Sequence, residues 1–184
     1  MATLSDGTYT GLRASLGDWL HRADLTNTDL GNFVYLYEAE FNTAMRIRKM
    51  EAQTSIVITS NYLAHPSDWQ AWKSLKISHG GILYALTPIS EENAGRIYGD
   101  SYLALPQGYV VRGDRTYLYP EADATYTVLT TYFQGVPSLS ANSTNWLMNK
   151  FPQAYLYGSL MQASQYVESP ASATHTGTLG GICS

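Results

Sequence analysis

The hydrophobic period of this chain changes twice, and that change limits the folds open to it. Leu30, Phe33, Val34, Tyr37, Phe41, Ala44, Met45 and Arg48 recur at helical spacing near the start. From Gln53 to Ser60 the period drops to two, with Thr54, Ile56 and Ile58 on one side and Ser55, Val57 and Thr59 on the other. Past residue 150 it returns to helical, with Tyr155, Leu156, Ser159, Leu160, Ala163 and Tyr166-Val167 forming one stripe. A chain that reads helix, strand, helix cannot be one uniform bundle or one sandwich. The pattern predicts an α+β fold: a helical bundle formed by the N- and C-terminal helices, with a β-rich insertion and an extended C-terminal tail. The expected boundaries are 1–52 and 135–167 for the helical core, 53–134 for the insertion and 168–184 for the tail.

Local signals fill in this outline. Leu12, Leu16, Trp19, Leu20 and Ala23 predict a short amphipathic helix over Tyr9 to His21. The second helix is expected from Asp29 to Lys49, capped by Asn27 or Thr28, with Asp29 suiting its positive end. Arg46, Arg48 and Lys49 would then sit on its last turns. There they serve either as dipole-matched ends or as contacts for DNA phosphate. Strands are expected at Leu75–Ser78, Ile82–Leu86, Tyr109–Arg112, Thr116–Tyr119 and Tyr126–Phe133. Gly80-Gly81, Gly108, Gly113-Asp114 and Pro120 punctuate them. A hairpin is expected with its turn at Arg112 to Arg115. Ser90 caps a short helix to Ile97, and Pro152 suits a helix's first turn. Trp146, after a Pro/Ser/Asn loop, is expected to anchor that loop against a helical core of Phe33, Tyr37, Phe41, Tyr155, Leu156 and Leu160. Residues 168–184 are rich in Ser, Thr, Ala and Gly, the composition of a segment without a core of its own.

Composition narrows the functions. Charged residues make up 14% of the chain, well below the usual quarter, so surface covered by partners is expected. The fifteen tyrosines agree, since Tyr suits protein interfaces, though a Tyr-rich β protein reads the same way. A net charge of −4 argues against a surface that wraps nucleic acid. DNA passing through a neutral or acidic channel remains compatible with it. Cys183 is the single cysteine, which excludes an intrachain disulfide and a cysteine-based zinc site. Met1 to Tyr9 lacks the pattern of a signal peptide, and no apolar run approaches membrane-spanning length. No phosphate-binding Gly motif, nucleophile elbow or H-E-x-x-H is present. His21, His65, His79 and His175 are scattered. Glu38 and Glu40 stand two apart on a helix and do not face each other. The residues thus predict no catalytic, cofactor-binding or metal site.

Three stretches carry a resemblance. The first is Leu12-Arg13 through Asp18-Trp19-Leu20-His21-Arg22, with A-E-F-N-T-A-M-R-I-R-K-M-E at 39–51. The second is Tyr62-Leu63-Ala64-His65-Pro66-Ser67-Asp68-Trp69. The third joins Tyr132-Phe133, Val136-Pro137-Ser138-Leu139-Ser140 and Thr144-Asn145-Trp146-Leu147 to Tyr155-Leu156-Tyr157-Gly158-Ser159-Leu160. Together they resemble the head-to-tail adaptor family of tailed bacteriophages over roughly residues 10–167. His65 stands where an apolar residue is expected, and the small-residue tail after Val167 replaces a charged helical continuation. The resemblance implies a non-enzymatic virion subunit, made in the host cytoplasm, at the head–tail junction. It implies a homo-oligomeric ring, a dodecamer, beneath the portal protein, joined to a tail nozzle, hub or other tail proteins. Double-stranded DNA would pass through the ring during packaging and ejection, with Arg46, Arg48 and Lys49 as a candidate lumen cluster. Pro170, His175, Leu179 and Ile182 are the expected portal contacts. No cofactor or membrane partner is implied. The alternative is a β-rich carbohydrate-binding tail component, with Trp69 and Trp72 stacking on sugars.

Overall fold

The computed structural model describes residues 7–22, 24–98 and 102–167, which divide into two compact units. One contains the described residues up to Met45 and those from Val136 onward; the other runs from Arg46 to Gly135.

The first unit is helical. α1 (Tyr9–Leu20) starts at Thr8, whose hydroxyl accepts from the Gly11 N–H at 3.1 Å. It stops at His21, whose left-handed backbone turns its N–H back to the Gly17 carbonyl. α2 (Asn27–Ala44) begins with a reciprocal cap. The Asp29 N–H donates to Thr26 Oγ1, and the Thr26 N–H donates to the Asp29 carboxylate at 2.8 Å. The cap is therefore Thr26 rather than Asn27 or Thr28. The helix also ends at Ala44, short of the expected Lys49, because Met45 is already extended. Two short helices, α4 (Leu139–Asn142) and α5 (Trp146–Lys150), lead to α6 (Pro152–Val167).

Leu12 and Leu16 of α1, Leu30, Phe33 and Val34 of α2, and Tyr155, Leu156 and Ala163 of α6 are buried. Each large side chain among them contributes about 1.5–3 kcal/mol of burial. α2 and α6 meet through rings: Tyr37 lies edge-on to Tyr155 at 5.4 Å, and Phe33 faces Tyr166 at 5.6 Å. Gly158 makes this approach possible, since a Cβ there would fall within the Tyr37 ring.

The second unit is a seven-stranded sheet. Its strands are β1 (Glu51–Ile58), β2 (Tyr62–Ala64), β3 (Trp69–His79), β4 (Ile82–Pro88), β5 (Gly108–Arg112), β6 (Arg115–Tyr119) and β7 (Tyr126–Gln134). Their order is β1-β7-β3-β4-β5-β6-β2. All neighbours are antiparallel except β4 and β5, which are parallel and joined through α3 (Glu91–Tyr98). The end strands β1 and β2 approach each other, so the sheet nearly closes into a barrel. Ile58, Leu63, Leu75, Ile77, Leu86, Leu118, Tyr126 and Val128 fill its core.

These findings correct the expected α+β fold founded on a bundle of the N- and C-terminal helices. The protein is a mixed α and β fold dominated by the nearly closed sheet. Because that sheet curls around its own apolar core, it needs no helical bundle as its base. Two features hid this from the sequence. β2 is only three residues long and reads as a turn, and β4 and β5 pair through just two residues each.

Gly158→Ala is expected to cost about 1–3 kcal/mol through overpacking against Tyr37. Chemical denaturation checks this; an unchanged midpoint would contradict the close α2–α6 approach.

Candidate functional site

The helical unit is pinned by one buried carboxylate. Glu38 lies on the core side of α2 and is 6% exposed. Its Oε1 accepts from the Leu139 N–H at 2.9 Å and from the Tyr155 hydroxyl at 3.1 Å. Its Oε2 accepts from the Ser138 hydroxyl at 2.8 Å. Asn145 extends the network. Its amide donates to the Tyr155 oxygen and to the Pro137 carbonyl, both at 2.7 Å, and its Oδ1 accepts from the Met148 N–H. Asn42, one turn beyond Glu38, accepts from the Val136 N–H at 2.8 Å. Burial, together with the nearby carboxylate, pushes the Tyr155 phenol well above its usual range, so it stays a neutral donor. Both Glu38 oxygens are thus occupied, tying α2 to Ser138 and Leu139 at the start of α4 and to Tyr155 of α6.

In the sheet unit the aromatic residues pack into one another. The His65 ring stacks on Trp69 at 3.8 Å and meets Trp72 edge-on at 5.4 Å; Trp72 in turn meets Tyr132 at 5.9 Å. The Trp72 indole N–H donates to the buried Thr116 hydroxyl oxygen at 2.6 Å, and His65 Nε2 lies 2.8 Å from the same oxygen. Tyr132 donates to Asp68. Desolvation lowers the His65 pKa from its ordinary 6.5, so the neutral ring is favoured. Trp69 and Trp72 are half-buried and held by these internal contacts.

Among the residues singled out from the sequence, Phe33, Tyr155 and Leu156 are buried, while Tyr37, Phe41, Trp146 and Leu160 are half-buried. Trp146 opens α5, and the neighbouring Asn145 makes the hydrogen bonds that hold the loop. Arg46, Arg48 and Lys49 are exposed and lie outside α2: Arg48 and Lys49 belong to a single 3-10 turn, Arg48–Met50. They therefore do not form the last turns of α2 that the sequence suggests. Pro170, His175, Leu179 and Ile182 lie outside the described residues. The sequence reading missed Glu38 as a hub, although it stands one turn after Val34 on the apolar stripe.

Large apolar side chains remain on both units' surfaces. Trp19, Tyr35, Leu36, Tyr157 and Met161 are exposed on the helices, and Val57, Ile82, Leu83 and Tyr84 on the sheet. Among the described residues, no group of three or more His, Cys, Asp or Glu is placed to hold a metal ion. No described helix is long and apolar enough to cross a membrane.

The helical unit thus uses its polar network for structure, and large apolar side chains remain exposed on both units. The SU10 adaptor protein family matches residues 7–180, so the chain belongs to that family. It is accordingly a bacteriophage structural adaptor, a virion component that interacts with other head or tail proteins. No curated protein was found to match it.

Two outcomes are expected. Glu38→Ala strands the Leu139 N–H and the Ser138 and Tyr155 hydroxyls and should cost about 2–4 kcal/mol, with Glu38→Gln milder; denaturant midpoints decide. For His65, the folded ring binds a proton less tightly than the unfolded chain does. Protonation therefore favours unfolding, and stability declines as pH falls through 6.5. His65→Gln should flatten that decline between about pH 8 and about pH 5.5. An equal slope in the variant would show that another group is responsible.

Proposed function

We propose that this adaptor is a non-enzymatic subunit of a homo-oligomeric ring, a dodecamer, seated beneath the portal at the head–tail junction. The observation that carries the reading is the family match across residues 7–180 of a chain only 14% charged. In this reading the upper face of the ring docks on the portal and the lower face recruits a tail nozzle or hub. Heterologous contacts between copies close when the rotation per subunit divides a full turn. The exposed Trp19, Tyr157 and Met161 and the apolar β4 strand supply surface suited to such contacts. Double-stranded DNA passes through the lumen during packaging and ejection, and the overall negative charge keeps it from sticking. Arg46, Arg48 and Lys49 are the candidate residues for touching passing phosphates. The subunit is made in the host cytoplasm, and it carries out no covalent chemistry of its own.

The segment 168–184, with Pro170, His175, Leu179 and Ile182, is the proposed portal contact. Seventeen residues reach about 56 Å when extended, enough to cross a neighbouring subunit. Deleting 168–184 is expected to weaken co-sedimentation with purified portal rings by about tenfold or more, while the unfolding midpoint stays unchanged. Equal co-sedimentation of the truncated and full-length chains would remove the tail from the portal interface. Failure of the full-length chain to sediment with portals would remove the adaptor ring itself.

A further inference from the structure

Within the seven-stranded sheet, β1, β7, β3 and the Ile82–Leu86 part of β4 form a run of four antiparallel strands. Among the described residues neither outer edge of this run is hydrogen-bonded to a further strand, although the end of β1 lies near β2. β1 ends the strand order and, among the described residues, pairs only with β7. β4 pairs with β5 at Thr87 and Pro88 alone, so among the described residues no strand pairs with the second edge of Ile82–Leu86. Open edges of natural sheets are ordinarily guarded by charge, proline or a bulge. The guards here stand only at the strand ends: Glu51, ion-paired with Lys73, opens β1, and Pro88 closes β4, while Ala52–Ile58 and Ile82–Leu86 contain neither charge nor proline. Exposed apolar side chains stand mainly on the β4 edge, with Ile82 57%, Leu83 52% and Tyr84 41% exposed; β1 adds Val57 at 63% beside the polar, exposed Gln53 and Ser55.

The polarity of the strands says what fits. With four alternating strands, β4 runs antiparallel to β1. A second copy set beside the first in the same orientation therefore offers its β1 antiparallel to the first copy's β4. That junction continues the sheet with correct polarity and leaves each copy one free edge for the next, the heterologous geometry a cyclic assembly needs. An odd number of strands would force a parallel junction.

We propose that the β4 edge of one copy pairs with the β1 edge of its neighbour, so that the sheet runs across the subunit boundary. This deepens the ring reading and rests on it. The β3–β4 hairpin turns through Gly80-Gly81, both with positive φ, and its register aligns His79 with Ile82. Ladder bonds alternate along an antiparallel pair, so Leu83 and Ala85 direct their main-chain groups away from β3, toward the open edge.

The test uses the full-length chain on portal rings, with Ala85→Pro, which removes an outward N–H, and Leu83→Lys, which charges the edge at an exposed site. In the wild-type ring, amide exchange at 51–58 and 82–86 should slow relative to the monomer. Each variant should need about tenfold more protein for half-assembly. Leu83→Lys covers the case in which the proline variant fails to fold. Assembly by the wild type without added protection at these two strands overturns the junction and leaves the ring intact. Absence of any assembly by the wild type overturns both.

Discussion

The helical unit depends on a carboxylate that has been taken out of water. Glu38 would be costly to bury alone, and three donors make its burial possible: one main-chain N–H and two hydroxyls. Those donors come from segments far apart in sequence. Leu139 and Ser138 belong to the chain returning from the sheet, and Tyr155 belongs to the last helix. One side chain on α2 therefore fixes both the re-entry of the chain and the position of α6. Apolar packing alone would tolerate sliding between α2 and α6; a carboxylate with directional partners sets one register. Tyr37 packed over Gly158 sets the same register by shape.

The sheet unit solves its packing differently. Its apolar core lies inside a sheet that almost closes on itself, and its buried polar contacts include the Thr116 hydroxyl shared by His65 and Trp72 and the Thr130 hydroxyl donating to the Thr54 carbonyl. The two units thus hold themselves together with separate cores and separate polar networks. That leaves their outer surfaces available for partners, and large apolar side chains stand on them. The chain belongs to the SU10 adaptor protein family, whose members interact with other phage head or tail proteins.

Much of the local structure was legible in the sequence. The apolar stripe of α2 and the period of two in β1 come from direct burial patterns, which sequence spacing reports well. Boundaries were less legible. Thr26 was overlooked as the cap of α2 in favour of Asn27 and Thr28, which are equally plausible capping types. The spacing extends α2 to Lys49 because Met45 and Arg48 keep the helical period, although the backbone is already extended at Met45. The dominance of the sheet could not be read locally, since it rests on β2 joining β6 and on the β4–β5 crossover, pairings between residues distant in sequence. Glu38 was taken for one of two unrelated acidic residues. Its position on the apolar face was a usable signal, but its donors were invisible without the fold. Of the Thr144-Asn145-Trp146-Leu147 stretch that carries the family resemblance, Asn145 belongs to the Glu38 network.

The central claim is that this chain assembles as a ring on a portal. Electron microscopy of purified portal rings mixed with the full-length protein tests it most directly. The account predicts a second ring, coaxial with the portal and built from repeated copies of this chain, with an open axial channel. Bare portals beside free monomers at saturating protein would contradict it.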